Sequence, residues 1–274
     1  MSEELEKRLQ EAEREVARLK KQLEQAEKES AEQKKQLASM DKLVLEAVRE
    51  IFGPYMTDEV LEDIVRRKGK VVIGGERRHV TMMFTDLRRS TELSEQMEPM
   101  QFIDMLNHYI SEMIEIVNAW QGNILDFVGD AIVVVFGAPR INKDSARDAV
   151  ACAVSMQRRM EAVNAWNRER GYPELGMGIG IHSGSAILGN IGSEIRRKYD
   201  MIGRNVNLAS RIEGFTKGGQ ILISNECLRA AGELVHENPD GRRKVRPKGI
   251  KEDILIHEVI GFGKRTLAEE KEND

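Results

Sequence analysis

The sequence predicts an α+β protein, with helices packed on a largely antiparallel sheet, preceded by an α-helical parallel coiled coil. Three observations lead there. Between residues 5 and 51, apolar side chains recur at alternating steps of four and three. From residue 76 onward, short apolar runs alternate with segments of helical spacing. The stretch NILDFVGDAIVVVFG, residues 123–137, reads as strand, tight turn, strand.

The first stripe runs Leu5, Leu9, Ala12, Val16, Leu19, Leu23 and Ala26, then resumes at Leu37, Met40, Val44, Ala47 and Ile51. Only Ser30 and Gln33 interrupt it, and Glu, Lys, Arg and Gln fill the remaining positions. Sustained heptads of this kind specify a coiled coil, because so regular a stripe needs a partner to cover it. At 1.5 Å per residue the rod is about 70 Å long. The small and polar seam residues weaken it, so a dimer helped by the downstream domain is expected. Pro54 in FGPY ends the rod, since it has no N–H for a continuing helix. A short helix is expected next, with Thr57 as its N-cap before DEVLEDIVRRKGK. Gly74-Gly75 marks a linker. The expected organisation is therefore a dimerisation helix over 1–52, a short helix and linker over 53–75, a globular domain over 76–262 and a polar tail over 263–274.

Within the globular part, HVTMMFTD reads as a strand and PMQFIDMLNHYISEMIEIVNAW as a helix. A hairpin follows, turning at Gly129-Asp130, then a long helix in SARDAVACAVSMQRRMEAVNAWN. GMGIGIHSG and SAILGNIG read as two strands, NVNLASRIEGF as a helix, GQILIS as a strand, NECLRAAG as a short helix and ILIHEVIG as a closing strand. Met82, Met83, Met97, Met100, Met105 and Met113 are expected in the core. Trp120 and Trp166, each in NAW, are expected as anchors at helix ends. His182 is expected to be a packed residue, since the five histidines show no ligand spacing.

Composition excludes several classes. The 274 residues are 41% hydrophobic and 32% charged, with a net charge of −4, so no global basic field draws the chain to nucleic acid or anionic lipid. Two distant cysteines make neither a disulfide framework nor a zinc spacing, which suggests a reducing, cytoplasmic setting. The charged start is unlike a signal peptide, and the apolar runs are too short to span a membrane.

Chemistry concentrates at strand ends. Asp86, in MMFTDLRRST, falls where an apolar strand gives way to a polar turn, and Asp130 sits at the hairpin tip. In a ferredoxin-like sheet the first strand commonly lies beside the central hairpin, which brings the two acids to one edge. Paired carboxylates suit Mg²⁺, which takes oxygen ligands and shares its shell with substrate phosphates. The other reading of each Asp is a turn residue bonding its own backbone. Arg88 and Arg89, beside N–H groups opening a helix, make a phosphate cradle, or else a solvated pair next to an N-cap at Ser90 or Thr91. Asn207 and Arg211 lie at i and i+4 on one helix face, placed either to hold charge on a transferring phosphoryl group or to make a surface contact.

FTDLRRST, FVGDAIVVVFG, GIGIHSG, YDMIGRNVNLASRIE and RPKG occur in the order and spacing of the class III nucleotidyl (adenylate/guanylate) cyclase catalytic domain. The resemblance covers roughly 76–261, and IFGPYMTDEVLEDIVRRKG resembles the lead-in of bacterial members. It implies conversion of a nucleoside triphosphate to a cyclic nucleotide and pyrophosphate, with the ribose 3′-hydroxyl attacking the α-phosphate. It implies two Mg²⁺ or Mn²⁺ ions per site, held by Asp86, Asp130 and the carbonyl of Leu87. Asn207 would orient the ribose, Arg211 would contact the phosphate, and Lys248 in PKG would hold the triphosphate. The site would lie at a head-to-tail homodimer interface, with metal acids from one chain and base and transition-state residues from the other. The coiled coil would present the two domains to each other and carry a signal from an upstream sensor.

The resemblance matches Asp126 and Asp200 to the base-selecting positions. Adenine-type members usually carry Lys at the first and Asp or Thr at the second. Guanine-type members usually carry Glu and then Cys or a similar residue. This chain is mixed. Asp200 accepts from adenine N6, whereas Asp126 faces N1 lone pair to lone pair; guanine reverses the conflict. If Asp126 turns away and bonds locally, or lies outside the pocket, Asp200 selects ATP. The expectation is an adenylate cyclase. The alternatives are a guanylate cyclase on the same scaffold, or a silent cyclase-like dimerisation module. Gly178 stands where some members carry a phosphate-binding arginine, for which Arg88, Arg89 or Arg204 would have to compensate.

Overall fold

The computed structural model describes residues 3–52, 73–250 and 252–267, with side chains from Arg14 onward apart from those of residues 49 and 52. The chain divides into two compact units, 1–69 and 70–274. In the first, Glu3–Phe52 is one helix, α1, of 50 residues. Val16, Leu19, Leu23, Leu37, Met40 and Val44 are each more than half exposed along it. From Val16 onward the expected stripe is present as an open apolar seam on a single helix. The short helix expected around Thr57 lies outside the described residues.

The second unit is built on one ten-stranded sheet. Its spine runs β2 (Asn123–Val128), β3 (Ala131–Phe136), β1 (Gly74–Leu87), β4 (Met177–Gly192), β6 (Ile221–Ser224), β9 (Ile254–Phe262) and β10 (Arg265–Thr266). All neighbours are antiparallel except β4 and β6. β5 (Arg197–Ile202) adds to β4, while β7 (Val235–Glu237) and β8 (Arg243–Val245) add to β9. Six α-helices and one 3-10 turn (Pro239–Gly241) complete the described order: α1, α2 (Ser90–Gln96), α3 (Pro99–Ala119), α4 (Ser145–Glu169), α5 (Arg204–Glu213) and α6 (Asn225–Ala231).

The central strands are apolar on both sides because both sides are covered. Met83, Ile132, Val134, Phe136, Ile179 and Ile181 pack on one side with Tyr109 and Met113 of α3 and Val150 and Met156 of α4. Met82 and Val135, one residue along from members of that set, pack on the other with Val80, Ala209 of α5 and Met201 of β5. The two-residue period of a strand thus separates adjacent methionines into different cores.

Several expectations change. Gly74 and Gly75 are not a linker: they open β1 and pair with Asn190 and Gly189. GMGIGIHSG and SAILGNIG are one strand, β4, long enough to support β1 on one edge and β5 and β6 on the other. RKYDMI, not foreseen as a strand, is β5. The expected tail begins with β10, which pairs with β9. Met82, Met83, Met105 and Met113 are buried as expected and Met97 is half-buried, but Met100 is largely exposed. Trp120 closes α3 and donates from Nε1 to Ser155 Oγ at 3.2 Å. Trp166 lies inside α4, stacked on His108 with ring centroids 4.0 Å apart. His182 is a buried connector: Nδ1 is 2.8 Å from Ser224 Oγ and Nε2 is 3.2 Å from Asn205 Oδ1. Burial lowers its pKa, which keeps the ring neutral and fits a structural role.

The C-terminal end of α5 lies flat on β4 because Gly180 has no side chain. A Cβ there would fall 2.2 Å from Glu213 N and 2.4 Å from Glu213 Cα. Backbone cannot yield as a flexible side chain does. Gly180→Ala is therefore expected to cost roughly 2–4 kcal/mol in denaturant unfolding, by overpacking alone. A cost below about 0.5 kcal/mol would show that α5 is free to lift from the sheet.

Candidate active site

β1 pairs with β3 from Thr81↔Phe136 to Thr85↔Ile132, so the end of β1 arrives beside the β2–β3 turn. Asp86 and Asp130 meet there. Asp130 Oδ2 accepts from Leu87 N at 2.8 Å, which fixes Leu87's backbone against the hairpin tip. Asp86 Oδ1 accepts from Arg88 Nη2 at 2.7 Å. The same nitrogen donates to Glu213 Oε1, at the end of α5. Three acids thus share the neighbourhood of one guanidinium, whose Nε is itself buried without a hydrogen-bond partner.

Burial sets the electrostatics, and the shared guanidinium offsets it only in part. Burial raises the Asp86 carboxyl above its ordinary value, against the pull of Arg88, and Asp130 adds to the rise. Burial also pushes Glu213 up to about 7, again against Arg88, with Asp86 adding to it. Arg88 is divided between two acids and fully compensates neither. Among the described residues no cluster of three or more His, Cys, Asp or Glu side chains is disposed to hold a metal. The donor set here is two close carboxylates, one of them raised by burial and only partly offset by Arg88. That set fits a hard divalent cation, which accepts oxygen donors only and draws further ligands from water or substrate.

Two further groups of candidate residues remain. Asn207 and Arg211 are both exposed, while Leu208, Ala209 and Ile212 of the same helix are buried. The pair therefore stands on the solvent side of α5. Lys248 is also exposed, in the loop between β8 and β9. The second group joins Asp126 and Asp200 through a residue that sequence reasoning missed. Lys198 Nζ is 2.6 Å from Asp126 Oδ2 and 3.6 Å from Asp200 Oδ2. Its signal was available: Lys198 and Asp200 stand two apart, hence on one face of a strand, but only once RKYDMI is read as a strand. Glu213, also missed, had no such signal.

Arg88, expected as part of a phosphate cradle, is instead engaged by Asp86 and Glu213. Arg89 pairs with Glu92 at 2.7 Å, and Arg204 with Glu252 at 3.6 Å. Neither Ser90 nor Thr91 caps α2: Arg89 holds the N-cap position at φ 64° and no side chain caps it. At Gly178 a Cβ would fall 1.9 Å from Thr216 Oγ1 and 3.4 Å from Glu213 Oε1. Thr216 and Glu213 occupy the space that a longer side chain there would need.

Residues 74–259 match the family model described as the adenylate and guanylate cyclase catalytic domain. The chain belongs to this family. It is 36% identical over 187 residues to adenylate cyclase 1 of Rhizobium meliloti (strain 1021), covering 68% of this chain and 28% of that protein. The solved guanylyl cyclase Cya2 is 45% identical with a TM-score of 0.69, over 72% of this chain and all of that one. The adenylyl cyclase CyaB of P. aeruginosa is 34% identical with a TM-score of 0.67, over 70% of this chain and 98% of that one. The family generally uses divalent metal ions. No helix among the described residues is long and apolar enough to cross a membrane.

The raised Glu213 carboxyl has a measurable consequence. Between its ordinary value of 4.5 and about 7, the folded chain keeps a proton that the unfolded chain has lost. Stability from this group is therefore full below pH 4.5 and declines as pH rises through 7. Glu213→Gln stays neutral throughout. In chelator, the variant is expected to match the wild type near pH 4.5 and exceed it at pH 8 by on the order of 1–2 kcal/mol. Parallel stability profiles across that range would show that Arg88 keeps Glu213 ionised.

Proposed function

We propose that this domain is an adenylate cyclase, converting ATP to cyclic AMP and pyrophosphate at sites shared between two copies of the chain. One observation carries the reading: Asp86 and Asp130 converge at one sheet edge, while Asn207 and Arg211 stand on the solvent side of α5. A second copy meeting the first head to tail would supply the outward pair to the inward one. The open seam of α1 supports the same arrangement, since a parallel coiled coil would cover it and bring two domains together. In this reading the rod also transmits the state of an upstream sensor.

Each residue then has a task. Asp86, Asp130 and the Leu87 carbonyl hold divalent cations, taken as two Mg²⁺ or Mn²⁺, which when bound supply charge neutralisation for the attacking and leaving oxygens. Asn207 orients the ribose so that its 3′-oxygen lies in line with the α-phosphorus. Arg211 offsets charge that builds on the α-phosphoryl oxygens as the 3′-oxygen bonds to phosphorus and the bond to pyrophosphate breaks. Lys248 holds the triphosphate as a point charge. The hydroxyl proton leaves to water. Arg88 keeps Asp86 and Glu213 in place, and would have to leave one of them to reach a phosphate. Asp126 and Asp200 lie where the base is selected.

A second reading is a guanylate cyclase on the same scaffold, favoured by the 45% identity to Cya2, a guanylyl cyclase. Initial rates with ATP and with GTP, under Mg²⁺ and Mn²⁺ and with chromatographic identification of the product, separate the two. Cyclic AMP is expected. Asp86→Ala or Asp130→Ala should lower turnover by at least about 10³-fold without dissociating the dimer; near-normal rates would reject the metal assignment. Mixing Asp130→Ala chains with Arg211→Ala chains should restore activity, because one of the two shared sites is then complete. Continued inactivity after demonstrated exchange of chains would reject a shared site.

A further inference from the structure

Asp126 and Asp200 are held in the same way. Each spends Oδ1 on the backbone N–H of the next residue, Phe127 at 3.0 Å and Met201 at 2.8 Å. Each turns Oδ2 toward the ammonium of Lys198. The three side chains come from separate parts of the sheet. Asp126 follows an irregularity in β2, whereas Lys198 and Asp200 lie on β5, which pairs with β4. All three stay open to solvent, at 45%, 43% and 39% side-chain exposure. Exposed ion pairs add little stability, so this arrangement matters more for what it presents than for what it holds together.

It presents an acceptor, a donor and an acceptor. Lys198 has three N–H donors; one bonds Asp126 Oδ2, and the ammonium faces Asp200 Oδ2 at ion-pair distance, which leaves a donor for a ligand. The geometry points to Asp126, Lys198 and Asp200 as one adenine-selecting unit, in which Lys198 donates to N1 and a flanking carboxylate accepts from the N6 amino group. This inference rests on the nucleotide reading above and names the residue that chooses the base. The adenine edge runs donor at N6, acceptor at N1, then the weakly polar C2–H. That order complements acceptor, donor, acceptor, and does so from either end because the unit is symmetric. The guanine edge runs acceptor at O6, donor at N1, donor at N2. Laid on the same three places, it sets O6 against a carboxylate and N1–H against the ammonium. Guanine must slip by one place to bind, and then leaves a polar group outside the unit. Discrimination between bases from two such contacts amounts to roughly 10- to 100-fold. Asp126 thus acts by positioning Lys198, and the conflict between two acids and one base disappears.

The test uses the full chain with Lys198→Met and Lys198→Arg. It measures kcat/KM for ATP and GTP, and dissociation constants of 3′-deoxy-ATP and 3′-deoxy-GTP, which lack the attacking hydroxyl. Lys198→Met is expected to lose about tenfold or more in kcat/KM for ATP, mostly through KM, and to narrow the ATP preference to about threefold. Lys198→Arg should retain part of the preference. The deoxynucleotide constants should move in the same order. The side chain is substantially exposed, so an unchanged thermal midpoint should accompany these effects. A Lys198→Met preference within twofold of wild type overturns the inference, as does a wild type that prefers GTP. Cyclic AMP formation with Lys198-independent selectivity rejects this unit and leaves the proposed reaction standing. Lys198-dependent binding of 3′-deoxy-ATP without any cyclic product does the reverse, and binding of neither analogue overturns both.

Discussion

Strand β1 is hydrogen-bonded along its whole length to β4 and along its second half to β3. Everything chemical in the domain depends on that double pairing. Through β3 it delivers Asp86 to the hairpin tip that carries Asp130. Through β4 it sets the register from Gly74↔Asn190 to Leu87↔Met177, and β4 in turn aligns β5, with Asp200 opposite Gly189. A slip of one residue would turn each of these side chains to the other face. Burial on both faces prevents it, since Met82 and Met83 belong to different cores and cannot exchange.

Both acidic groups answer the same electrostatic problem with one cation each. Asp86 and Glu213 share Arg88 in a half-buried setting, where desolvation leaves both carboxyls raised. Asp126 and Asp200 share Lys198 in an open setting, where water does much of the screening. The first arrangement stays short of positive charge and suits a divalent ion. The second has the same ratio of two carboxylates to one cation but stays open to solvent, where its donor and acceptors remain presented. Burial, more than residue type, sets the difference.

Much of this was legible in the sequence. The hairpin turning at Gly129-Asp130 and the long helix of 145–169 follow from period and turn chemistry, because those signals are local; the meeting of Asp86 with Asp130 followed from the expected sheet order, which places the first strand beside the hairpin. The long β4 was not legible: Gly184 in its middle reads as a break, yet here a Cβ at that position would fall 2.7 Å from Asn205 Nδ2, so the glycine serves a close approach within a continuous strand. β5 was missed because RKYDMI is mostly polar and, among the described residues, pairs on one edge only. Its loss hid Lys198. Arg88 was read as open to phosphate because its partner Glu213 is 125 residues away, and no local pattern records a contact of that range.

The hairpin that bears Asp126 and Asp130 is six residues to a strand, and its two acids belong to different groups, one around Lys198 and one around Asp86. In a dimer with shared sites, those groups would serve opposite active centres. Any twist of this one ribbon would then be felt at both centres together, as a seesaw moves both of its ends. The two sites would be mechanically linked through a turn of two residues, without any signal crossing the sheet.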